Sequence, residues 1–475
     1  MKKKSILVLG ILSAFALIFT SCNNKDHGLS SKNPRTVTIW HYYNGSQGLE
    51  FENLVAEFND TVGREKGIIV YAESKSNIDE LNSDLIDSVN KKVGADDLPN
   101  LFQCYQDTAI QIDEIQPLAS FESYLSSEEK AAYIDSYMDE GVLGNSGELK
   151  LFPIAKSTEV LMLNKTDWDI FSAEANVKEE NLKTWEGLMT VAEKYYDWSG
   201  GEAFFGRDAF ANYMIVGAKQ LGKEIFIVND GKATLQVDKE VCKKLWDNFY
   251  IPYVKGYYVH VGRFRSDDIK LGKIIAQVCS TSSASYFPEE VTREGQASYP
   301  ISFEVLPVPN FEGTQPMVVQ QGASMAMSKS DEATEYGCVV FLKWFTEKEQ
   351  NMRYALNSGY LPVMKSANSE EFIESYFDSE PDMLSDIESE TIRTAFDEIN
   401  HYTLYSNKGF ENGSEARSIL NSSMVNLAIK DREIITESIQ NGADEEAVLK
   451  LYLSDDYFEK WFLELQKDLE AVLVQ

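Results

Sequence analysis

The sequence predicts an α/β fold with mostly parallel sheets flanked by helices, divided between two or three lobes. Between residues 35 and 105, strand-like segments alternate with segments of helical periodicity in the order β-α-β-α-β. Such an alternation is typical of a parallel, doubly wound sheet. The chain has 475 residues, which is too many for a single hydrophobic core.

The spacing of apolar residues defines the alternating segments at the start of the chain. Strands are predicted over 35–41, 67–71 and 99–105, and helices over 49–59 and 78–93. Ligands of doubly wound sheets bind at the carboxyl ends of the strands. Residues 40–45 and 104–107 therefore form the predicted binding edge.

The rest of the chain repeats the alternation less regularly. The predicted elements are a strand region over 151–164, helices over 184–196 and 237–250, a strand over 273–279, an extended segment over 303–308 and an apolar helix over 337–346. Thr184 is the expected N-cap of its helix. A cluster of Ser and Thr residues over 280–285 follows the strand, and the last hundred residues are acidic and predicted to be helical.

The N-terminus has the pattern of an export signal. Three lysines at 2–4 precede an apolar run over 6–19, which is shorter than the roughly 20 residues that a membrane span needs. Ser21 and Cys22 then resemble the end of a bacterial lipobox, although Phe19 departs from the small or aliphatic residue usual at its place.

We expect residues 1–21 to be a lipoprotein signal peptide, Cys22 to be acylated, and 22–35 to form a polar tether. The alternative is a secretory signal that is cleaved elsewhere, with a bystander cysteine. The mature protein would be exported to the cell envelope and anchored by lipid, on the periplasmic side or at the cell surface.

The charge and the cysteines limit the possible partners. Loss of the three leader lysines lowers the formal charge from −32 to −35, and so acidic a surface repels nucleic acid. Four further cysteines, at 104, 242, 279 and 338, are far apart and fit no zinc spacing. We expect buried free thiols, and the three possible disulfide pairings stay open.

Several segments in order resemble family 1 extracellular solute-binding proteins of ABC importers, which include maltose-binding protein. The segments are 48–59, 98–102, 147–165, 184–186, 322–325, 341–345 and 359–362. Within that family, the segment 258–263 and the Ser/Thr cluster most resemble the glycerol-3-phosphate-binding branch.

The resemblance implies a two-lobed, type II periplasmic-binding-protein-like fold. Each lobe would be a mostly parallel sheet flanked by helices, and hinge crossings would join the lobes. The expected N-terminal lobe comprises 36–155 and 304–350, and the C-terminal lobe comprises 156–303 and 351–475.

Hydroxyl and amide groups that follow strands are candidate ligands, because buried polar groups of a solute need hydrogen-bond partners. Ser157, Thr158 and Ser282 lie at such places, and helix capping or a solvated loop is the alternative. The resemblance also implies that Gly322 presents its backbone and that Tyr360 presents its phenol.

Cationic and aromatic side chains complete the candidate site. Arg417 lies near the late ligand arginine of the family, and an arginine fork suits phosphate; a solvated helix arginine is the alternative. Trp40, Tyr105 and Phe210 are candidates for stacking on a sugar, although aromatic residues often belong to the core. Gln106, a further candidate ligand, follows Tyr105 where the glycerol-3-phosphate branch has a glutamate, so the identity of the solute stays open.

The pattern does not favour an enzyme. His27, His41, His260 and His401 are scattered and form no H-E-x-x-H motif, and the sequence has no G-x-S-x-G elbow. We expect no cofactor and no catalysis.

The resemblance implies a monomer that captures a sugar, polyol or glycerol phosphate between its lobes. It would deliver the solute to ABC permease subunits that work with a cytoplasmic ATPase. The alternative is a surface interaction or adhesin lipoprotein that reuses the scaffold.

Overall fold

Two separate sheets organise the protein, whose computed structural model describes residues 27–144, 147–229, 231–379 and 384–473. The predicted signal peptide and the predicted lipidation site Cys22 lie outside the described residues. None of the helices in the described ranges is long and apolar enough to cross a membrane.

The strands of the described residues are mostly short. They are β1 (Arg35–His41), β2 (Ile68–Ser74), β3 (Leu101–Cys104), β4 (Val142–Leu143), β5 (Glu148–Leu149), β6 (Leu151–Phe152), β7 (Glu159–Asn164), β8 (Phe205–Arg207), β9 (Phe226–Asn229), β10 (Lys232–Leu235), β11 (Ala276–Ser280), β12 (Glu290–Val291), β13 (Tyr299–Pro300), β14 (Phe303–Pro307), β15 (Met317–Val319), β16 (Ser324–Met327) and β17 (Thr403–Tyr405).

The helices surround the sheets and dominate the C-terminal part of the chain. They are α1 (Gly45–Phe58), α2 (Arg64–Lys66), α3 (Ile78–Val89), α4 (Gln106–Ile115), α5 (Ser127–Ala131), α6 (Asp135–Glu140), α7 (Lys165–Ala175), α8 (Trp185–Ser199), α9 (Phe210–Gln220), α10 (Lys239–Val254), α11 (Arg265–Lys270), α12 (Glu332–Phe345), α13 (Lys348–Ser358), α14 (Glu370–Ser379), α15 (Asp386–His401), α16 (Gly413–Gln440), α17 (Glu445–Tyr452) and α18 (Asp455–Leu473).

The first lobe is built on a five-stranded sheet in the order β2-β1-β3-β16-β6. Strands β1, β2 and β3 run parallel, as the β-α-β-α-β pattern predicts, whereas β16 is antiparallel to both of its neighbours. Val37 and Ile39 of β1 are fully buried, and the aromatic rings of Phe51 and Phe341 from α1 and α12 belong to the same core.

The second lobe is built on a four-stranded mixed sheet in the order β14-β7-β11-β8. Strand β7 is antiparallel to both neighbours, and only β8 and β11 run parallel. The sheet is therefore mixed, and the expectation of a mostly parallel sheet in each lobe is wrong for this lobe. The core of this lobe is rich in aromatic side chains, in which the rings of Trp246 and Tyr250 stack with their centroids 3.6 Å apart.

Three segments cross side by side between the lobes. The backbone of Ser157 pairs with that of Gln321 through hydrogen bonds of 2.9 and 3.1 Å, and Lys156 pairs in the same way with Leu361. The crossings thus form a narrow hydrogen-bonded ribbon. The two-lobed fold implied by the resemblance is confirmed.

The division between the lobes differs from the predicted boundaries at two places. Strand β14 joins the sheet of the second lobe, although 304–350 was expected in the first. Conversely, Tyr354, Tyr360 and Val363 pack in the core of the first lobe, beyond the expected limit at 350. The apolar pattern of a segment shows that the segment is buried, but it does not show against which sheet.

Local signals in the sequence agree with the structure. The Thr184 hydroxyl accepts a hydrogen bond from the Gly187 N–H at 3.1 Å and caps α8, and the Ser/Thr cluster forms a 3₁₀ turn over Thr281–Tyr286. The cysteines at 104, 242, 279 and 338 are all free and buried, which is the arrangement expected of small apolar residues.

Candidate ligand-binding site

A cavity of about 470 Å³ lies between the two lobes. The first lobe contributes the N-terminal ends of α3 and α4, which follow β2 and β3, so the cavity lies at the predicted carboxyl edge of the sheet. The second lobe contributes α9, the N-terminal part of α16 and the loop before it. Residues 319–321 of one crossing segment form the remaining wall.

Eleven amide and hydroxyl side chains line this cavity. They are Asn82, Gln106, Thr108, Asn212, Gln320, Gln321, Ser406, Asn407, Ser414, Ser418 and Asn421, and Tyr105 presents a ring that is 39% exposed. Such groups both donate and accept hydrogen bonds. The lining therefore suits a solute that carries many hydroxyl groups and one apolar face that can stack on the tyrosine ring.

Two cations, Lys408 and Arg417, also line the cavity. Within the described ranges, neither of them lies within ion-pair distance of a carboxylate. Two cations that lie in one cavity without a close carboxylate can serve an anionic group of a solute.

A buried network holds Arg417 in position. Its guanidinium donates to Oδ1 of Asn212, and Nδ2 of Asn212 donates to Glu159 at 2.8 Å and to Gln321 at 3.2 Å. Glu159 in turn accepts two bonds of 2.8 and 3.0 Å from buried Arg207. Because a carboxylate only accepts, Glu159 fixes the orientation of the Asn212 amide, which then turns its oxygen to Arg417.

The acidic side chains of the cavity are partly neutralised. Glu140 forms an ion pair with Lys156 and accepts from Gln320. Burial raises the pKa of Asp107 from 3.8 to about 6, although the Phe410 N–H at 2.9 Å and the charge of Arg417 act in the opposite direction. At neutral pH the Asp107 carboxyl thus remains close to its titration range.

The structure brings three of the predicted site residues to the cavity, namely Tyr105, Gln106 and Arg417. Tyr105 and Gln106 come from the end of β3 and the start of α4, and Arg417 comes from α16. The Tyr105 phenol, whose ordinary pKa is about 10, is protonated at neutral pH, so its hydroxyl can donate a hydrogen bond.

Five other predicted residues lie in and around the crossing segments. Ser157 and Thr158 belong to the first crossing, and the buried Thr158 hydroxyl has no partner among the described residues. The Gly322 carbonyl accepts from Lys156 at 2.7 Å, and the Tyr360 hydroxyl lies 3.2 Å from that of Tyr42. The Ser282 hydroxyl lies 3.0 Å from that of Ser280. These five residues do not line the cavity.

The two remaining predicted residues belong to hydrophobic cores. Trp40 is 6% exposed and packs in the first lobe, with Nζ of Lys75 4.0 Å from its ring. Phe210 is 3% exposed, and its ring centroid lies 4.3 Å from that of Phe249. Both side chains are therefore core aromatics, which is the alternative stated for aromatic residues in the sequence analysis.

Sequence reasoning missed several residues of the cavity. Asp107 lies within the predicted binding edge but was not singled out, and Asn212, Gln320 and Asn421 carry no local signal for binding. The described residues contain no cluster of His, Cys, Asp and Glu that could hold a metal ion.

Known proteins resemble this chain in sequence pattern and in fold. Residues 53–380 match the family described as bacterial extracellular solute-binding protein. No curated protein sequence matches the chain significantly.

Solved structures align with almost the whole chain. The cyclic alpha-maltosyl-1,6-maltose binding protein from Arthrobacter globiformis is 17% identical with a TM-score of 0.66, and the match covers 93% of this chain and 99% of that chain. UgpB from Mycobacterium tuberculosis, in complex with glycerophosphocholine, is 18% identical with a TM-score of 0.68 and the same coverage. An ABC substrate-binding protein from Listeria monocytogenes, in complex with cycloalternan, is 16% identical with a TM-score of 0.63, and the match covers 87% of this chain and 100% of that chain. At these identities the likeness establishes the fold.

Proposed function

The chain belongs to the bacterial extracellular solute-binding proteins, and we propose that it captures a carbohydrate or glycerol-phosphate-type solute between its lobes for an ABC importer. The observation that carries the proposal is the interlobe cavity of about 470 Å³, which eleven amide and hydroxyl side chains help to line. A cavity of this size encloses a small polar solute rather than a long polymer.

The lining supports a solute with many hydroxyl groups. Tyr105 offers an exposed ring face for the C–H groups of a sugar or glycerol backbone. Asn82, Gln320 and Asn421 surround the same space and can satisfy hydroxyl groups that lose their water on binding.

The two unpaired cations support an anionic group on the solute. Arg417 keeps its remaining N–H donors free for a ligand, because a single bond to Asn212 orients its guanidinium. Lys408 lies on the loop before α16, on the same side of the cavity. A phosphate or carboxylate between these side chains would form charge-assisted hydrogen bonds, which are about twice as strong as neutral ones.

The cellular role follows from the family and from the N-terminal pattern. We propose that the protein is exported, acylated at Cys22 and held at the membrane as a monomer. It would pass the solute to permease subunits powered by a cytoplasmic ATPase, without catalysing a reaction. Closure of the lobes over the solute would create the form that the permease receives.

Thermal unfolding of the soluble protein starting at Asn23 tests the proposal. The additives are glycerol-3-phosphate, its diesters, polyols and oligosaccharides. A solute at 100 times its Kd adds about 2.7 kcal/mol, and a lobe of 150–250 residues gains about 2–4 °C in Tm per kcal/mol.

The variant Arg417→Ala separates the solute classes, with Lys430→Ala as the control for loss of a cation on the same helix. A shift with glycerol phosphates that Arg417→Ala abolishes supports an anionic solute. A shift with sugars that both variants retain supports a neutral one. No shift with any additive would contradict solute capture and favour the surface interaction protein.

A further inference from the structure

Two neighbouring side chains of the first lobe bind the backbone of one loop of the second lobe. The Gly409 N–H donates to Oε1 of Gln106, and the Phe410 N–H donates to Oδ1 of Asp107 at 2.9 Å. The Gln106 amide also donates to the carbonyl of Glu140, so its orientation is set within its own lobe. Two consecutive residues at the start of α4 thus meet two consecutive N–H groups across the cleft.

The partners of these hydrogen bonds are anchored in different cores. Ala109 and Ile112 bury α4 in the first lobe. Phe410 is 2% exposed in the core of the second lobe, where its ring centroid lies 4.9 Å from that of Phe226. The contact therefore joins two separately packed bodies and does not belong to the interior of either.

Two glycines make the close approach possible. A Cβ atom on Gly409 would lie 2.9 Å from the carbonyl carbon of Gln106, and one on Gly413 would lie 2.7 Å from Oδ2 of Asp107. Both separations are shorter than any normal contact of a Cβ atom. Neither glycine has a positive φ angle, so the backbone conformation does not require glycine at either position.

The three atoms nearest to a Cβ at 409, and the three nearest to one at 413, all belong to Gln106 and Asp107 of the other lobe. The steric requirement for glycine therefore arises across the cleft. The hydrogen bonds also join protein to protein. They therefore hold the two lobes together directly, without a bridging solute.

We propose that Gln106 and Asp107 on one lobe, and residues 409–413 on the other, form a latch that stabilises the closed arrangement of the lobes without solute. A methyl group at Gly409 would meet the backbone of Gln106 and Asp107, and one at Gly413 would displace the Asp107 carboxylate from the Phe410 N–H. A latch of this kind shifts the balance between open and closed forms before any solute binds.

Small-angle X-ray scattering of the solute-free protein starting at Asn23 tests the latch. The variants are Gly409→Ala and Gly413→Ala, and the matched control is Gly337→Ala on α12, where the nearest atoms to a new Cβ lie at 3.5 to 3.8 Å. Because alanine favours helix over glycine, Gly413→Ala does not weaken α16 itself.

We expect the wild type and Gly337→Ala to have the radius of gyration of a compact chain, about 22 Å for this length. Both latch variants should have a larger radius, because overpacking of this kind lowers the closed-to-open ratio about tenfold or more. Gln106→Ala, which removes a latch bond without adding volume, should shift the radius in the same direction. Circular dichroism checks that each variant is folded.

Identical scattering from the wild type and the three latch variants would overturn the proposal, whether all are compact or all are open. A larger radius in Gly337→Ala as well would also overturn it, since the effect would then be unrelated to the cleft. No solute is present in the measurement, so its outcome does not depend on the proposed function.

Discussion

Nζ of Lys156 lies 2.9 Å from Oε1 of Glu140 in a crossing segment where the lysine side chain has no exposed surface. The same ammonium group donates to the Gly322 carbonyl at 2.7 Å. The pair thereby ties two crossing segments to the end of α6. Since Glu140 also lines the cavity, the ion pair connects the hinge with the wall of the site.

Lys156→Met should lower the free energy of unfolding by about 3–5 kcal/mol, because it leaves the Glu140 carboxylate buried without its partner. The double variant with Glu140→Gln removes both charges and should regain most of that loss. Urea unfolding of the four proteins in the double-mutant cycle measures the coupling. If the double variant lost as much stability as the two single variants together, the two side chains would not act as a pair.

Asp107→Asn should change how stability depends on pH. Burial raises the pKa of Asp107 to about 6. The protonated carboxyl therefore contributes fully to the stability of the folded protein below pH 3.8, and this contribution is lost as the pH rises through 6. Asparagine keeps the acceptor for the Phe410 N–H and cannot ionise. We expect the variant to match the wild type near pH 4 and to exceed it by roughly 1–3 kcal/mol at pH 7.

Unfolding curves at several pH values give the comparison for Asp107. The charged groups that act on this carboxyl are Arg417 and Glu415. Glu415→Gln, which changes a neighbouring acid but leaves Asp107 intact, should retain the pH dependence. A pH profile of Asp107→Asn parallel to that of the wild type would contradict the assignment.

Asn212→Leu should weaken the binding of an anionic solute although it leaves both cations in place. Without the amide oxygen, Arg417 loses the bond that orients it, and Glu159 loses one of its donors. A hydrogen bond to a charged group contributes about 1.5–3 kcal/mol, which corresponds to roughly a tenfold to hundredfold rise in Kd. Isothermal titration with the solute identified by thermal shift measures the change, and Lys430→Ala serves as the control. An unchanged Kd would show that Asn212 does not position the arginine.

Glu398→Gln should stabilise the second lobe at neutral and alkaline pH. Burial raises the pKa of Glu398 well above 4.5, and Oε1 accepts from the Val308 N–H at 2.7 Å. The protonated carboxyl contributes to the free energy of unfolding below pH 4.5, and this contribution is lost as the pH rises. Each unit by which the pKa is raised corresponds to about 1.4 kcal/mol. Glutamine retains the acceptor, so the gain in Tm should grow from pH 4 to pH 8. A lower Tm for the variant at every pH would contradict a neutral carboxyl.

The four buried thiols should be unreactive in the folded protein. Burial raises the pKa of Cys242 to about 12 and that of Cys104, Cys279 and Cys338 further, and only the thiolate is an effective nucleophile. Titration of the protein starting at Asn23 with a thiol reagent should detect no group in buffer and four groups in denaturant. Fewer than four groups in denaturant would indicate a disulfide.

Local sequence patterns predicted much of the fold and part of the site. The alternation of periodicities located β1, α1, β2, α3 and β3 within a few residues, because each pattern reports which side of a segment faces a core. The rule that ligands bind beyond the ends of parallel strands placed 104–107 at the cavity. The same patterns failed to separate stacking aromatics from core aromatics, since both kinds are apolar and regularly spaced.

The sequence by itself determined the alternating elements of the first lobe and the strand ends at which Tyr105 and Gln106 meet the cavity, and the family resemblance implied the two-lobed class. Only the tertiary structure decided that β14 joins the second lobe, that Phe210 packs inside it, and that Asn212 links Arg417 to Glu159. The physical reason is that periodicity along the chain records burial but not the identity of the neighbour. The polar contact between Asn212 and Arg417, which lie 205 positions apart, exists only once α9 and α16 have packed against each other in the second lobe.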